Sequence, residues 1–468
     1  MVFVDDILTA FLGTATLLLL SLYTLINCRS QLPKRPASYE SFLFAAGSRR
    51  QSLAGTIGYA FSLTYYGATT IYGHLYRAWF GVFLVVVLLI AIMLVRTVIA
   101  NAERCTAESS GNILLDLIRE RLGGSALAHT SAVYLLIYFA LLVEELAVSR
   151  VVLRDVFPAH PAIAAVILAT ICVVILAYVK WGGFRAVLIA DFEQLKLLTP
   201  FVIAIAFLIF RAQDFSNQSL PPFAMRAHGD ATTFAGGVFM LTAWIVCSVD
   251  FYSRLNLHHD SRSTGGVKNF ATVALLLASL VFVVGAAYGV SLPAEFSSIP
   301  TPSGFTHQGV RYAMSLGFRT TSVIFFASLF CMIFSTINTL LVTVFQVGYY
   351  RNKRPEVGHI HAILLWAALL SCILWPDSVS KVGLFIAALM VVPLCVVFAA
   401  LWKPVRNIFP SRYWFVWPAI ALSLAFFVAG FKYFSSYSTM PLLGIIVLGS
   451  VAASVGVARL GGLIMRWL

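Results

Sequence analysis

A chain of 468 residues that is 60% hydrophobic and 11% charged, with a mean hydropathy of +0.90, is not a soluble globular protein. Its net charge of +13 would suit nucleic acid, but the basic residues collect at the ends of apolar runs rather than along one polar face. Those runs are continuous rather than alternating, which excludes a β-barrel. Each is about 20 residues long, enough to cross a hydrocarbon core of about 30 Å.

In chain order the expected spans are 5–27, 52–77, 79–100, 129–155, 160–180, 187–211, 233–253, 268–292, 319–347, 358–376, 379–402, 413–433 and 440–465, thirteen in all. Residues 1–468 read as one transmembrane domain: 1–51 hold a flanking helix and a loop, 52–211 a first unit, 233–402 a second, and 403–468 two C-terminal helices. With the N-terminus outside and the C-terminus cytoplasmic, about 22 of the 32 basic residues fall in cytoplasmic segments, among them Arg29, Lys34, Arg35, Arg49, Arg50, Arg351, Lys353, Arg354, Arg459 and Arg466. The opposite orientation would invert the rule. The acidic start, with Asp5 and Asp6, and the lack of a small-residue cleavage site make the first span a retained helix.

The first span dense in helix-weakening residues is 52–77, where Ser62, Thr64, Gly67, Thr69, Thr70 and Gly73 follow Gly58. A break there exposes carbonyl oxygens, which suit a hard monovalent cation; a small-residue packing face is the plain alternative. Between the third and fourth spans, Ser109–Gly124 has apolar residues at helical spacing and a glycine stop, so it reads as a short amphipathic helix at the inner surface.

The fourth span carries Glu144 and Glu145 well inside an apolar stretch, where a carboxylate is costly. Helical periodicity puts Tyr134, Tyr138, Glu145 and Ser149 on one face. That face suits an amine-bearing or cationic solute, a proton site, or a structural ion pair with Arg150 or Arg154.

A glycine pair between the fifth and sixth spans leads into the sixth: Gly182-Gly183-Phe-Arg-Ala186-Val187-Leu-Ile-Ala190-Asp191-Phe-Glu-Gln194. Asp191 lies about four residues inside it, where either the helix macrodipole or an ion-handling role explains a carboxylate. The seventh span ends in Trp244-Ile-Val-Cys-Ser248-Val-Asp250-Phe-Tyr-Ser253-Arg254, with Trp244 a candidate pocket wall and Asp250 and Arg254 spaced for a local i, i+4 ion pair. The ninth contains Cys331-Met332-Ile-Phe-Ser335-Thr336-Ile-Asn338-Thr339, whose hydroxyls serve either a cation or the preceding turn of their own helix.

No metal-ligand spacing, nucleophile elbow, Walker loop or dinucleotide fingerprint appears, so neither a cofactor nor enzymatic chemistry is expected. The seven cysteines are scattered and mostly within spans, as buried small apolar residues are.

The glycine-pair segment resembles the Gly-Gly-x-x-Ala-Val-x-x-Thr-Asp-x-x-Gln signature of the sodium/solute symporter family, with Ala190 in place of the threonine. Three shorter stretches resemble the same family: Ser335-Thr336, the end of the seventh span, and the loop after the third. The resemblance implies an all-α polytopic protein with a LeuT-type core of two inverted five-helix repeats, spans 2–6 and 7–11. It implies Na+ held by the Ser335 and Thr336 hydroxyls and by the carbonyls of Met332, Ala60 and Leu63, with Asp191 on the ion path. A small organic solute such as an amino acid or carboxylate would bind near Thr64, Tyr65, Tyr138, Glu145, Trp244 and Asn338. The implied activity is sodium-coupled symport at the inner membrane by alternating access. Proton coupling stays open, as does a transporter-like sensor that reports solute occupancy to a separate partner, although sensors of this family usually append signalling modules.

Overall fold

The computed structural model describes residues 7–31, 80–103, 112–156, 161–215, 231–256, 267–277, 319–352, 359–374, 379–408, 413–414, 416–422, 425, 452 and 454–464. The named elements among them are helices: α1 (Ile7–Gln31), α2 (Phe80–Glu103), α3 (Ile113–Val156), α4 (Pro161–Phe215), α5 (Ala231–Cys247), α6 (Val249–Asn256), α7 (Val267–Leu277), α8 (Arg319–Asn352), α9 (His359–Leu374), α10 (Val379–Leu401), α11 (Lys403–Arg406) and α12 (Ser454–Ile464). Span 2, with the site candidates Ala60, Leu63, Thr64 and Tyr65, lies outside the described residues.

Two of these helices bend at glycine. α3 turns at Gly123 (φ 88°, ψ 172°) and α4 at Gly183 (φ 53°, ψ −135°). Both angle pairs are open to glycine and strained for any residue with a Cβ. The expected stop at the end of the amphipathic segment and the expected boundary at the glycine pair therefore both appear as bends. A Gly183→Ala substitution should cost about 1–3 kcal/mol through that strain alone, read as a lowered melting temperature of the purified protein in detergent.

The segment before Gly123 does not merely coat a surface. Leu114, Leu115, Leu117 and Ile118 are fully buried, and so are Asn112 and Asp116. Asn112 caps the helix: its Oδ1 accepts the amides of Leu114 and Leu115 at 3.1 Å. Its Nδ2 donates to the Val249 carbonyl at 2.7 Å and to Ser253 Oγ at 2.8 Å, which fastens the segment to α6.

Span 7 is likewise not one helix. It breaks at Ser248 between α5 and α6, although no glycine or proline lies there. The break is held by tertiary partners. The Val249 amide donates to Tyr138 Oη on α3 at 2.9 Å, and the Val249 carbonyl is taken by Asn112. Partners from elsewhere thus satisfy backbone groups at the interruption.

α8 packs on α3, α4 and α1, while α10 packs on α3 and α5, so α3 and α8 lie centrally. The burial pattern is inverted relative to a soluble fold. Leu19, Leu89, Val166 and Ile363 stand 62–66% exposed, whereas Ser335, Thr339, Thr343 and Gln346 form a buried stripe along α8. Apolar side chains outward and polar ones inward is the arrangement a bilayer requires. Among the described residues three helices are long and apolar enough to cross one, over Val85–Ala102, Ile113–Ala147 and Ala162–Gln194.

Candidate functional site

Gly183 turns the chain so that the following half of α4 carries Asp191 into the interior, where it is fully buried. An isolated buried carboxylate is costly, and three helices meet to supply it. Arg254 of α6, also fully buried, donates from Nη1 to Asp191 Oδ2 at 2.8 Å. Ser335 of α8 donates from Oγ to Asp191 Oδ1 at 2.7 Å. The second terminal nitrogen of Arg254 donates to Thr339 Oγ1 at 2.9 Å, and Thr339 in turn donates to Asn338 Oδ1 at 3.2 Å. Asp191 and Ser335 are 144 residues apart in the chain, so this contact is made by the fold alone.

The network continues past the ion pair. Ser253, beside Arg254, donates to Gln346 Oε1 at 2.9 Å and accepts from Asn112. Asp250 Oδ1 accepts Ser248 Oγ at 2.6 Å and Tyr138 Oη at 2.9 Å. Arg254 lies within electrostatic reach of Asp250, as the i, i+4 spacing led one to expect, and its terminal nitrogens also reach the long-range partners Asp191 and Thr339. All of these side chains are at most 4% exposed.

Tyr138, a candidate solute contact, is engaged twice by the α5–α6 break. Tyr138→Phe removes one hydrogen bond to a carboxylate and strands the Val249 amide. The expected cost is about 2–4 kcal/mol, from a charged hydrogen bond plus a buried orphan donor. It should be visible as a lowered melting temperature before any solute is added.

Other polar side chains near the pair carry atoms with no hydrogen-bond partner among the described residues. Gln194, one turn beyond Asp191 and 1% exposed, has both amide atoms so placed. Tyr178 stacks on Phe334 at 5.2 Å between centroids and lies beside Asn338. Buried groups of this kind are where water or a ligand atom belongs.

The remaining candidates are dispersed. Thr336 follows Ser335 about 100° around α8 and is partly buried. Met332 is in α8, its side chain outside the described set. Trp244 packs on the core from α5, and its indole nitrogen is buried with no partner among the described residues. Glu145 is partly buried on α3, and its Oε1 has none either. Sequence reasoning missed the joining of Asp191 to Arg254 and the two-sided role of Asn112. The asparagine before an apolar run is a helix-start signal, but nothing local marks its second partner.

No protein-family model matches the chain, and no curated protein does. Solved structures do. A substrate-bound, outward-open Na+-coupled sialic acid symporter is 16% identical with a TM-score of 0.65, over 96% of this chain and 98% of its own. Mhp1, a nucleobase-cation-symport-1 family transporter in a closed conformation with bromovinylhydantoin bound, is 14% identical with a TM-score of 0.52, over 94% and 95%. At such identities the likeness establishes the fold: an all-helical, multi-pass membrane protein of LeuT type.

Proposed function

We propose that the protein is a secondary active transporter, a symporter that moves a small organic solute into the cytoplasm with Na+ as the coupling ion, by alternating access across two inverted repeats. One observation carries this reading. The Ser335 hydroxyl, singled out from the sequence as a cation ligand, is buried against the Asp191 carboxylate at 2.7 Å in a chain that shares its fold with two symporters. A hydroxyl oxygen beside a buried carboxylate suits a hard monovalent cation, and the Ser335–Thr336 pair offers two such oxygens. Met332, Ala60 and Leu63 supply carbonyls in the same proposal. Asp191 lies on the ion path, and Asn338 with the solute candidates Thr64, Tyr65, Tyr138, Glu145 and Trp244 belongs to the volume beyond it. Thirteen spans, with the N-terminus outside, complete the topology.

Accumulation of solute in proteoliposomes under an imposed sodium gradient tests this. The solute itself comes from a thermal-shift screen of amino acids, carboxylates, sugars and amines in sodium against potassium. Uptake driven equally by a potassium gradient overturns sodium coupling. Binding without accumulation indicates a sensor.

A second reading has its own observation. Glu145 places a carboxylate oxygen inside a membrane helix with no partner among the described residues, which favours proton coupling. A pH gradient that drives uptake without sodium selects it.

A further inference from the structure

α1 supplies no side chain to the Asp191 network, yet it lies along the helix that carries it. It packs on α4 and on α8, the two helices that bring Asp191 and Ser335 together. Three side-chain contacts join it to α4. The Arg29 guanidinium stands over the Trp181 ring at 5.5 Å from its centroid. The Cys28 thiol donates to the Ala186 carbonyl at 3.8 Å. The Tyr23 hydroxyl donates to Glu193 Oε2 at 3.2 Å. Glu193, 6% exposed, is also held by Lys196 Nζ, 2.9 Å from both carboxylate oxygens.

The places of these contacts matter more than their strengths. Trp181 precedes Gly183, where α4 bends, whereas Ala186 and Glu193 follow it. Their partners run in the opposite order along α1, so one uninterrupted helix spans both sides of the bend. Glycine restrains the angle of such a bend only weakly, because no Cβ limits its φ and ψ. Ala186 and Glu193 also bracket Asp191, and Cys28 lies within electrostatic reach of that carboxylate. The eight residues from Gly183 to Asp191 make a lever of about 12 Å. Opening the bend by about 10° would move Asp191 by about 2 Å, which breaks a hydrogen bond of ordinary length. The 2.7 Å contact with Ser335 therefore needs the bend held from outside.

We infer that α1 is a splint across the Gly183 bend, with Arg29 and Tyr23 as positioning residues that keep Asp191 in register with Ser335. Their effect on a bound ion rests on the sodium site proposed above. Neither residue touches the ion; both act through the direction of the α4 half-helix.

The test compares the purified full-length protein in detergent with its Tyr23→Phe, Arg29→Gln double variant. Hydrogen exchange reads the splint itself. Backbone amides of residues 184–194 should exchange about tenfold faster in the variant, with α2 as the internal reference for global loosening. Unaltered exchange there, or an equal rise in α2, overturns the splint. Sodium titration of the melting temperature, with potassium as the reference, reads its consequence. The sodium midpoint should rise about threefold or more, less than the loss of a ligand would cause, because the two residues act only through Asp191. Leu19→Ala, on the exposed face of α1, should leave both readouts unchanged. Faster exchange with a wild-type sodium midpoint overturns the positioning role. Wild-type protein that sodium does not stabilise over potassium fails the sodium reading instead, and the exchange rates still decide whether α1 restrains the bend. Should the double variant not be recovered folded, Tyr23→Phe alone, a change of one oxygen, decides by the same two readouts.

Discussion

Arg254→Gln will destabilise the protein more than any other single substitution considered for it, and Asp191→Asn on top of it will restore part of the loss. Both side chains of the pair have no exposed surface and meet at 2.8 Å. Removing one partner leaves a carboxylate buried without its countercharge, which costs about 3–5 kcal/mol. The neutral amide that Asp191→Asn introduces has no charge to strand, and its oxygen still accepts from Ser335. The double variant should therefore lie above Arg254→Gln in melting temperature, with a coupling energy of about 2–3 kcal/mol from the four-member cycle. Arg254→Lys should fall between, because an ammonium supplies the charge but not the fork that reaches Asp191 and Thr339 together. A cycle with no coupling would show that the pair is a coincidence of packing. The consequence for the proposed transport cycle is direct. The pair fastens the far half of α4 to α6 and, through Ser335 and Thr339, to α8. Any state that parts these helices must admit water to both charges.

How much of this was legible before the fold was known varied with the range of the interaction. The glycine pair marked the boundary between two spans, and glycine is what accepts the φ 53° with ψ −135° found there; the stop at Gly123 follows from the same rule. Asp191 and Ser335 stood out singly, since a carboxylate or a cluster of hydroxyls inside an apolar run needs an explanation. Their meeting did not, because helical periodicity orders residues within one helix and is silent about a partner 144 residues away. The same limit explains Arg254. Its spacing of four residues from Asp250 was readable, but nothing local marked its second carboxylate partner on α4. The break at Ser248 was hidden for a different reason. A helix interrupted by glycine or proline advertises itself; one interrupted because Tyr138 and Asn112 capture the freed amide and carbonyl does not. The amphipathic segment 109–124 was recognisable as a helix, but its docking depended on the two hydrogen bonds that Asn112 Nδ2 donates to α6.

Ser335→Ala combined with Thr336→Ala should lower the apparent affinity for sodium by tenfold or more, about 1.4 kcal/mol. Methyl groups cannot replace hydroxyl ligands, and two are lost together. Sodium-dependent stabilisation of the purified protein reads this without knowledge of the solute: the midpoint of the sodium titration moves, with potassium as the reference. The two positions have separable signatures. Ser335 also donates to Asp191, so its loss lowers stability by about 1.5–3 kcal/mol even without sodium, as removal of a hydrogen bond to a charged group does. Thr336 is only partly buried and sits about 100° around α8 from Ser335. Thr336→Ala should therefore shift the sodium midpoint with a smaller change in the sodium-free melting temperature. If the double variant melts lower in potassium yet keeps the wild-type sodium midpoint, Ser335 serves only to solvate Asp191. The coupling ion then binds elsewhere, and the carboxylate oxygen of Glu145 that has no partner among the described residues becomes the place to look for it, with Glu145→Gln and a proton gradient as the next measurement.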